Sequence, residues 1–294
     1  MTATHCKITG CGTTGTATSR LRVQIMQVIG LCRFSWPGQG GFQVEHSTLQ
    51  ERTDYLYAPN RLEQRFRTFE TITLPPLRAQ TDPDFTFLIV IGKDLPKIWF
   101  DRLAALVSDI PQTVILPFGP GQHRLSMQEA INTVRRFDNQ PCLQFRMDDD
   151  DAVACSYVQL LRETAQDVRK LSRKHRFMAI DFNQGFIANP GPQGIRATTT
   201  VTPLTTAALA LMIKPSERRS VMNFAHNKLA RHMPTLTLTG QDMLIRGHND
   251  FNDSRQKPGI KPVALTLLSP EQEDHFRTTF NIDADHVRRV FSSP

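Results

Sequence analysis

The amino-acid sequence predicts an α/β fold with a mostly parallel central sheet, flanking helices and a smaller antiparallel extension. In the first half of the chain, short apolar runs alternate with amphipathic segments of helical spacing. This alternation stops in the second half, where short apolar and Thr-rich runs follow one another closely. Repeated strand–helix units favour a parallel sheet with right-handed crossovers, whereas closely spaced strands favour antiparallel pairing.

Four apolar runs in the first half are predicted to be buried strands. They lie at residues 23–31, 85–92, 113–118 and 142–147. Capping patterns predict the helices between them. One helix is expected to begin at Asn60 and to end before Pro75, and another to begin at Ser126, three residues before Glu129.

An acidic cluster, Asp148–Asp151, follows the fourth predicted strand. Four neighbouring carboxylates repel one another, so folding alone gives no reason to gather them. A divalent cation would supply the missing attraction, because hard cations prefer oxygen ligands. The alternative is a solvated acidic loop, or an acidic cap stabilised by the dipole of the helix that is predicted at residues 153–171.

The second half is predicted to form the smaller antiparallel extension. Two short strands at 177–180 and 185–188 are expected to pair around a turn, and a β-prone segment follows at 195–201. The chain is therefore divided into a disordered extension at 1–20, an α/β half at 21–151 that ends in the acidic cluster, and a second half with C-terminal helices at 152–294.

Composition narrows the range of partners. The net charge is +7, but the basic residues are spread and no nucleic-acid motif accompanies them, so nucleic acid is not expected as a partner. The basic clusters predict a solvated helix face or a surface attracted to anionic lipid or phosphate-bearing substrates. No apolar run reaches the roughly 20 residues of a membrane span. We therefore expect a cytoplasmic protein, with peripheral association at the inner face of the membrane as a further possibility.

Several polar residues lie where a ligand would meet such a sheet. Arg33 ends the first predicted strand and Asp94 follows the second, and ligands of open α/β sheets bind beyond the carboxyl ends of strands. His226 and His248 stand out in the second half. The alternatives are an arginine that reaches solvent, an aspartate that caps the next helix, and hydrogen-bonded structural histidines. Since no Gly-x-Gly-x-x-Gly or Gly-Lys-Ser/Thr loop is present, a dinucleotide dehydrogenase and a P-loop enzyme are not expected.

With these residues in view, the sequence resembles the bacterial putative rhamnosyltransferase family, a set of GT-A-like glycosyltransferases. The resemblance covers roughly residues 23–290. It rests on Arg33-Phe34-Ser35, the segment 85–96, Phe145-Arg146-Met147 with the four acids, and the segments around His226 and His248. The pattern loosens before His248, where the family's Trp position holds Leu244, and either Asn249 or Asn252 fills the family's asparagine position.

The resemblance implies transfer of a sugar, with rhamnose as the candidate, from a nucleoside diphosphate donor to a glycan, lipid-linked or protein acceptor. It also implies Mn²⁺ or Mg²⁺ as cofactor, and it assigns donor binding to the half at 21–151 and the acceptor site to the half at 152–294. The implied residues are Arg33, Asp94, Arg146, Asp148 and Asp149 for the donor; Asp150, Asp151 and His248 for the metal; Asp242 as catalytic base; and His226 and Asn249 as further candidates.

A second function fits the same acids. Asp149-x-Asp151-x-Val153 matches the Asp-x-Asp-x-Val signature of haloacid-dehalogenase-like phosphatases, whose first aspartate is the nucleophile. That signature normally ends the first strand of its domain, whereas three strand–helix units precede it here. The glycosyltransferase interpretation is therefore preferred.

Overall fold

The computed structural model describes residues 25–40, 46–248 and 263–293. The expected extension at 1–20 and the candidate Asn249 lie outside the described residues. The strands are β1 Val28–Arg33, β2 Thr86–Gly92, β3 Thr113–Phe118, β4 Cys142–Met147, β5 Ala152–Val153, β6 Phe177–Phe182, β7 Gln184–Gly191, β8 Gly194–Val201, β9 Leu209–Ile213, β10 Thr235–Leu238, β11 Leu244–Gly247 and β12 Thr266–Leu267.

The helices lie mainly in the first half and at the C-terminus. They are α1 Leu49–Tyr57, α2 Pro59–Thr68, α3 Leu74–Arg78, α4 Lys97–Leu106, α5 His123–Val134, α6 Tyr157–Asp167, α7 Arg169–Ser172, α8 Pro270–Phe280 and α9 Ala284–Ser292. A π-helical turn, Phe69–Thr73, joins α2 to α3, and 3₁₀ turns occupy Val221–Asn223 and His226–Arg231.

A seven-stranded sheet in the order β10-β6-β9-β4-β1-β2-β3 forms the centre of the fold. Strands β4, β1, β2 and β3 are parallel neighbours, and β10 runs parallel to β6. Strand β9 lies antiparallel between β4 and β6. The predicted α/β fold with a mostly parallel central sheet is therefore confirmed.

A five-stranded sheet in the order β12-β8-β7-β11-β5 forms the smaller layer. Within its described strands, β7 and β11 are parallel and the other neighbours are antiparallel. This sheet is the expected antiparallel extension. The expected pairing of β6 with β7 is wrong, because the chain crosses from one sheet to the other at Asn183. All six residues of β6 are buried, which suits a strand inside the central sheet.

The boundary predicted after residue 151 does not separate the sheets. Strands β6, β9 and β10 come from the second half of the chain, yet they extend the sheet that the first half begins. Strand β5 follows the acids immediately and pairs with β11 in the smaller sheet.

Aromatic and aliphatic side chains fill both faces of the central sheet. On one face, Phe34 packs against Phe66 of α2 and Phe69 of the π-helical turn, with ring centroids 4.9 and 5.2 Å apart. On the other face, Met127 and Ile131 of α5 are fully buried. The predicted helices therefore cover the sheet, and its strand ends remain at the edges.

Three predicted helix boundaries are wrong for physical reasons. Helix α2 begins at Pro59, and the chain stays helical past Pro75 because that proline lies in the first turn of α3, where its missing N–H is tolerated. Helix α5 begins at His123, three residues before the expected Ser126. The helix after the acids begins only at Tyr157, since β5 intervenes.

Candidate functional site

The carboxyl edge of the central sheet gathers the main candidates. Arg33 is the last residue of β1, Asp94 follows β2 by two residues, and Asp148 directly follows β4. Because these three strands are parallel, their ends meet at the same edge. The structure therefore places Arg33, Asp94 and Asp148 along one side of the molecule.

The four acids have different surroundings. The side chain of Asp148 is 52% exposed, whereas Asp149, Asp150 and Asp151 are buried. A solvated acidic loop would expose all four carboxylates. The expected alternative of such a loop therefore does not fit, and of the four carboxylates it is that of Asp148 that faces solvent.

Arg65 of α2 neutralises the buried acids. Its Nη1 lies 2.5 Å from Oδ1 of Asp149 and 3.8 Å from Oδ2 of Asp150, and all three side chains are nearly inaccessible to solvent. A buried arginine therefore supplies the attraction that the sequence led us to expect from a divalent metal ion. A sequence signal for this residue exists: Arg65 lies within the apolar helix face formed by Leu62, Phe66 and Phe69.

Asp151 ties the acidic segment to the smaller sheet. Its Oδ2 accepts the backbone N–H of Asp148 at 3.1 Å, and its Oδ1 accepts the backbone N–H of Gly247 at 3.1 Å. Burial, followed by the charges of Asp150 and Asp148, raises the pKa of Asp151 well above its ordinary value. Asp151 therefore fixes the shape of the loop.

Gly247 is required at this contact. A Cβ at this position would lie 2.5 Å from Cγ of Asp150 and 2.6 Å from its carbonyl oxygen. The end of β11 therefore packs directly on Asp150, and His248 follows at once with its N–H bonded to the Ala188 carbonyl at 2.8 Å. The structure thus brings the His248 segment to the acidic segment, as the sequence analysis expected.

Arg33 links Asp148 to a histidine that the sequence analysis missed. Its Nη2 lies 2.7 Å from Oδ1 of Asp148, and its Nη1 lies 2.9 Å from Nε2 of His123. Burial, followed by the charge of Arg33, lowers the pKa of His123 to about 3. The ring is therefore neutral at physiological pH and accepts the bond through Nε2. A histidine in the loop after the third strand, at the same sheet edge, was the available signal.

The pKa of Asp148 shows how strongly the arginines act on it. Desolvation in the cleft would raise this pKa, but the charge and hydrogen bond of Arg33 outweigh that effect, and Arg146 adds to them. The net result is a pKa below the ordinary value for aspartate. Asp148 is therefore an ionised carboxylate that is open to solvent.

Arg146 adds a second cation beside Arg33. It lies on β4 opposite Leu31 of β1, and its Nη1 is 3.8 Å from Sδ of Met222. Burial, followed by the charge of Arg33, lowers its pKa to about 10, so it is still charged at physiological pH. Two guanidinium groups in close range form a positive region next to Asp148.

His226 joins this region from the second half of the chain. Its Nδ1 lies 2.6 Å from the carbonyl oxygen of Leu204, which identifies Nδ1 as the donor and leaves Nε2 as an acceptor. Burial first, and the charges of Arg146 and Arg246 after it, lower the pKa of His226. His226 is the first residue of a 3₁₀ turn. Arg246 of β11 was also missed.

Asp94 is exposed beside a buried phenol. Burial, followed by the charge of Asp94, raises the pKa of Tyr57 to about 12. The hydroxyl of Tyr57 is buried and has no hydrogen-bond partner among the described residues. Asp94 does not cap α4, whose N-cap is Pro96 and makes no side-chain capping bond. The carboxylate of Asp94 and the hydroxyl of Tyr57 are therefore polar groups at the edge of the sheet that a ligand could contact.

Asp242 is not brought to the acidic segment. It precedes β11, while the opposite end of that strand contacts Asp150, and β11 alone spans about 10 Å. Its carboxylate accepts from Nε2 of Gln184 at 3.0 Å and lies 2.9 Å from Nε2 of His275. The geometry gives no support to its predicted role as catalytic base.

Only part of the predicted set of metal ligands is accessible to an ion from solvent. Among the residues that the structure describes, no three His, Cys, Asp or Glu side chains form a group that could hold a metal ion. Asp149 is bound to Arg65, and both oxygens of Asp151 accept backbone N–H groups. The metal roles of Asp150, Asp151 and His248 stay predictions.

Solved structures with similar folds share little sequence with this chain. TarS 1–349 of S. aureus in complex with UDP-GlcNAc is 8% identical, with a TM-score of 0.39 over 91% of this chain and 71% of TarS. A UDP-glucose pyrophosphorylase complexed with UDP-glucose is 8% identical, with a TM-score of 0.28 over 65% of this chain and 76% of that enzyme. In two other TarS structures the chain spans 60% and 37% of the TarS chain. Similarities of this size carry no argument about what this chain binds.

Sequence families give a firmer result. No curated protein matches the chain significantly. Residues 27–261 match the family model described as "Putative rhamnosyl transferase", and this match includes the central sheet, every strand of the smaller sheet except β12, and every described candidate residue. Since the model covers far more than half of the sequence, the chain belongs to this rhamnosyl transferase family of glycosyltransferases.

Proposed function

We propose that this protein transfers a sugar from a nucleoside diphosphate donor to a hydroxyl group of a glycan, lipid-linked or protein acceptor, with rhamnose as the candidate sugar. The observation that carries the proposal is the contact of Arg33 with Asp148 beside Arg146, at the carboxyl edge of β1 and β4. This edge is where α/β sheets bind nucleotides.

The positive groups fit the leaving group of such a reaction. As the bond between sugar and phosphate breaks, negative charge grows on the nucleoside diphosphate and must be neutralised. Arg33 and Arg146 are preorganised for this task, since His123 holds one and the other is half-buried on β4. Guanidinium groups also match phosphate oxygens in geometry.

We propose Mn²⁺ or Mg²⁺ as the cofactor, with Asp148 as the ligand that is open to solvent. The exposed, ionised carboxylate of Asp148 supports this assignment, whereas Asp150 is buried beside Arg65 and is not proposed as a ligand. Carboxylate oxygens are the ligands that hard divalent ions prefer. When bound, the ion would act as a Lewis acid on the diphosphate.

The donor's nucleoside has its own candidate contacts. Asp94 follows β2 in the chain, and the buried hydroxyl of Tyr57 lies against Gly92 at the end of the same strand. Strand β2 is the neighbour of β1, which carries Arg33. Asp148 can accept a hydrogen bond from a hydroxyl group of the ribose, because its carboxylate is ionised and exposed. We therefore assign Asp94 to the nucleobase and Asp148 to the ribose as well as the metal.

The phosphatase alternative loses support in this geometry. A phosphatase nucleophile needs an open carboxylate, but Asp149 is 3% exposed and ion-paired with Arg65. The family match also favours sugar transfer. We therefore do not retain Asp149 as a nucleophile.

Location in the cell stays a prediction. None of the helices described between residues 25 and 293 combines the length and apolarity that a bilayer crossing needs. The cytoplasmic location and peripheral membrane association remain expectations from composition.

Calorimetric titration tests the proposed function. The protein is titrated with dTDP, UDP and GDP, with Mn²⁺ and after chelation. We expect one nucleotide to bind, with weaker binding after chelation, and Arg33→Ala to weaken binding about tenfold or more, because a charged hydrogen bond is lost. Arg277→Ala, which removes an exposed arginine of α8, is the matched control. If no nucleoside diphosphate binds under either condition, the donor assignment is wrong.

A further inference from the structure

A strongly basic surface lies at the edge of the central sheet opposite the candidate site. We call it the basic edge and define it by Arg169, Arg173, Lys174, Arg176 and Lys214. These residues surround the start of β4 and β6 and the end of β9. Strand β4 spans about 17 Å, so the basic edge is well separated from Asp148.

Two neighbouring cavities open on the basic edge. The first, of about 180 Å³, is lined by Arg169, Arg173 and Lys214 together with His175. The second, of about 330 Å³, is lined by Lys174 and Arg176 and also by His175. His175 lines both cavities, so they are neighbours on the basic edge.

The cations of the basic edge lack acidic partners within the described part of the chain. Arg173, Lys174, Arg176 and Lys214 form no ion pair with a described residue, whereas Arg219 at the rim is already paired with Glu217. Arg173, Lys174 and Arg176 are also exposed. Gathering unpaired like charges costs free energy, which an anionic ligand would offset.

Exposed apolar side chains flank the same cations. Leu171, between Arg169 and Arg173 on the chain, is 46% exposed, and Phe137 is 42% exposed. Phe137 lies next to the basic edge. Arg135 connects the two, because its guanidinium stacks on the Phe137 ring at 4.9 Å and donates a hydrogen bond to the Lys214 carbonyl at 2.8 Å. Basic residues next to exposed apolar ones are the pattern of proteins that lie on anionic bilayers.

We propose that the basic edge binds the phosphate groups of an anionic lipid membrane, with Leu171 and Phe137 entering the interface. Each cavity would take headgroup phosphates, and the apolar pair would contact the acyl boundary. Free phosphate compounds share the phosphate chemistry, but they give no role to the two exposed apolar side chains. The inference does not depend on transferase activity, so its failure would leave the proposed function unchanged.

Vesicle co-sedimentation of the full chain tests the proposal. Phosphatidylcholine vesicles are compared with vesicles that also contain phosphatidylglycerol, at low and high salt. We expect binding only to the anionic vesicles and a loss of binding at high salt, because exposed charges are screened. Arg173→Glu/Arg176→Glu, one change in each cavity, should lower binding at least about tenfold.

Arg196→Glu/Arg277→Glu is the matched control, since it makes the same change in net charge at exposed positions away from the basic edge. It should lower binding no more than about twofold. Thermal melting checks that each variant is folded; if the first one unfolds, Arg173→Gln/Arg176→Gln replaces it. Equal loss in both double variants, no binding to anionic vesicles, or binding of glycerol phosphate or an RNA oligonucleotide in preference to vesicles would each overturn the proposal.

Discussion

Replacing Arg65 by methionine should destabilise the fold strongly. Arg65 and Asp149 are 6% and 5% exposed at their side chains and lie 2.5 Å apart, with Asp150 at 3.8 Å. Methionine fills most of the volume but leaves two buried carboxylates without this cation. Removing one partner of a buried ion pair costs about 3–5 kcal/mol, so we expect a loss of about 4 kcal/mol in the free energy of unfolding.

A double-mutant cycle in urea separates this charge effect from packing. Asp149→Asn in the Arg65→Met background should recover part of the loss, because one of the two buried charges that Arg65 faced is gone. Lys97→Met is the matched control: its pair with Asp101 is exposed, and we expect a change below about 1 kcal/mol. A loss below about 1 kcal/mol in Arg65→Met, or no recovery in the double variant, would refute the assignment of Arg65 as the partner that stabilises the acids.

Three further predictions concern the site. Burial and the charge of Arg33 lower the pKa of His123 from its ordinary 6.5 to about 3. Between these two pH values the unfolded chain takes up a proton that the folded protein does not, so the stability of the fold falls as the pH drops through this range. His123→Gln should therefore reduce the acid sensitivity of the melting temperature, and an unchanged pH profile would contradict the neutral, buried ring. Gly247→Ala should cost about 1–3 kcal/mol in urea unfolding, because the added Cβ meets Asp150, whereas Gly191→Ala, which meets nothing within 4 Å, should be mild. Asp242→Asn should keep sugar transfer within about threefold of the unchanged protein, since Asp242 lies at the far end of β11; a loss of about a hundredfold would restore it as a base.

The sequence predicted the sheet well because buried strands are visible as apolar runs. Strands β2, β3 and β4 lie within one residue of their predicted bounds, and period-two alternation marked β4 up to the acids. The first strand was predicted to begin at residue 23 but begins at Val28. Apolar composition alone does not say where hydrogen bonding to β2 and β4 starts.

Features that depend on contacts between distant parts of the chain could not be predicted from the sequence. Pairing of β6 with β9, and not with β7, depends on a strand that comes nearly thirty residues later. The countercharge of the acids was assigned to a divalent metal ion, because the helix pattern places Arg65 on a buried face but does not show that it meets Asp149, 84 residues away. Arg33, Arg146, Asp148 and His226 were found from strand ends and motifs, whereas His123 and Arg246 depend on how separate elements converge.

The shared sheet has a consequence for engineering this protein. Strand β4, which presents Asp148, is flanked on one side by β9, and the neighbouring Asp151 is held by the backbone of Gly247. A fragment that ends after the acids would leave an unpaired edge on β4 and lose the bond that shapes the loop. Domain swaps that aim to change the acceptor while keeping the donor must therefore be cut outside residues 142–247, and loop grafts are a better route than exchange of halves.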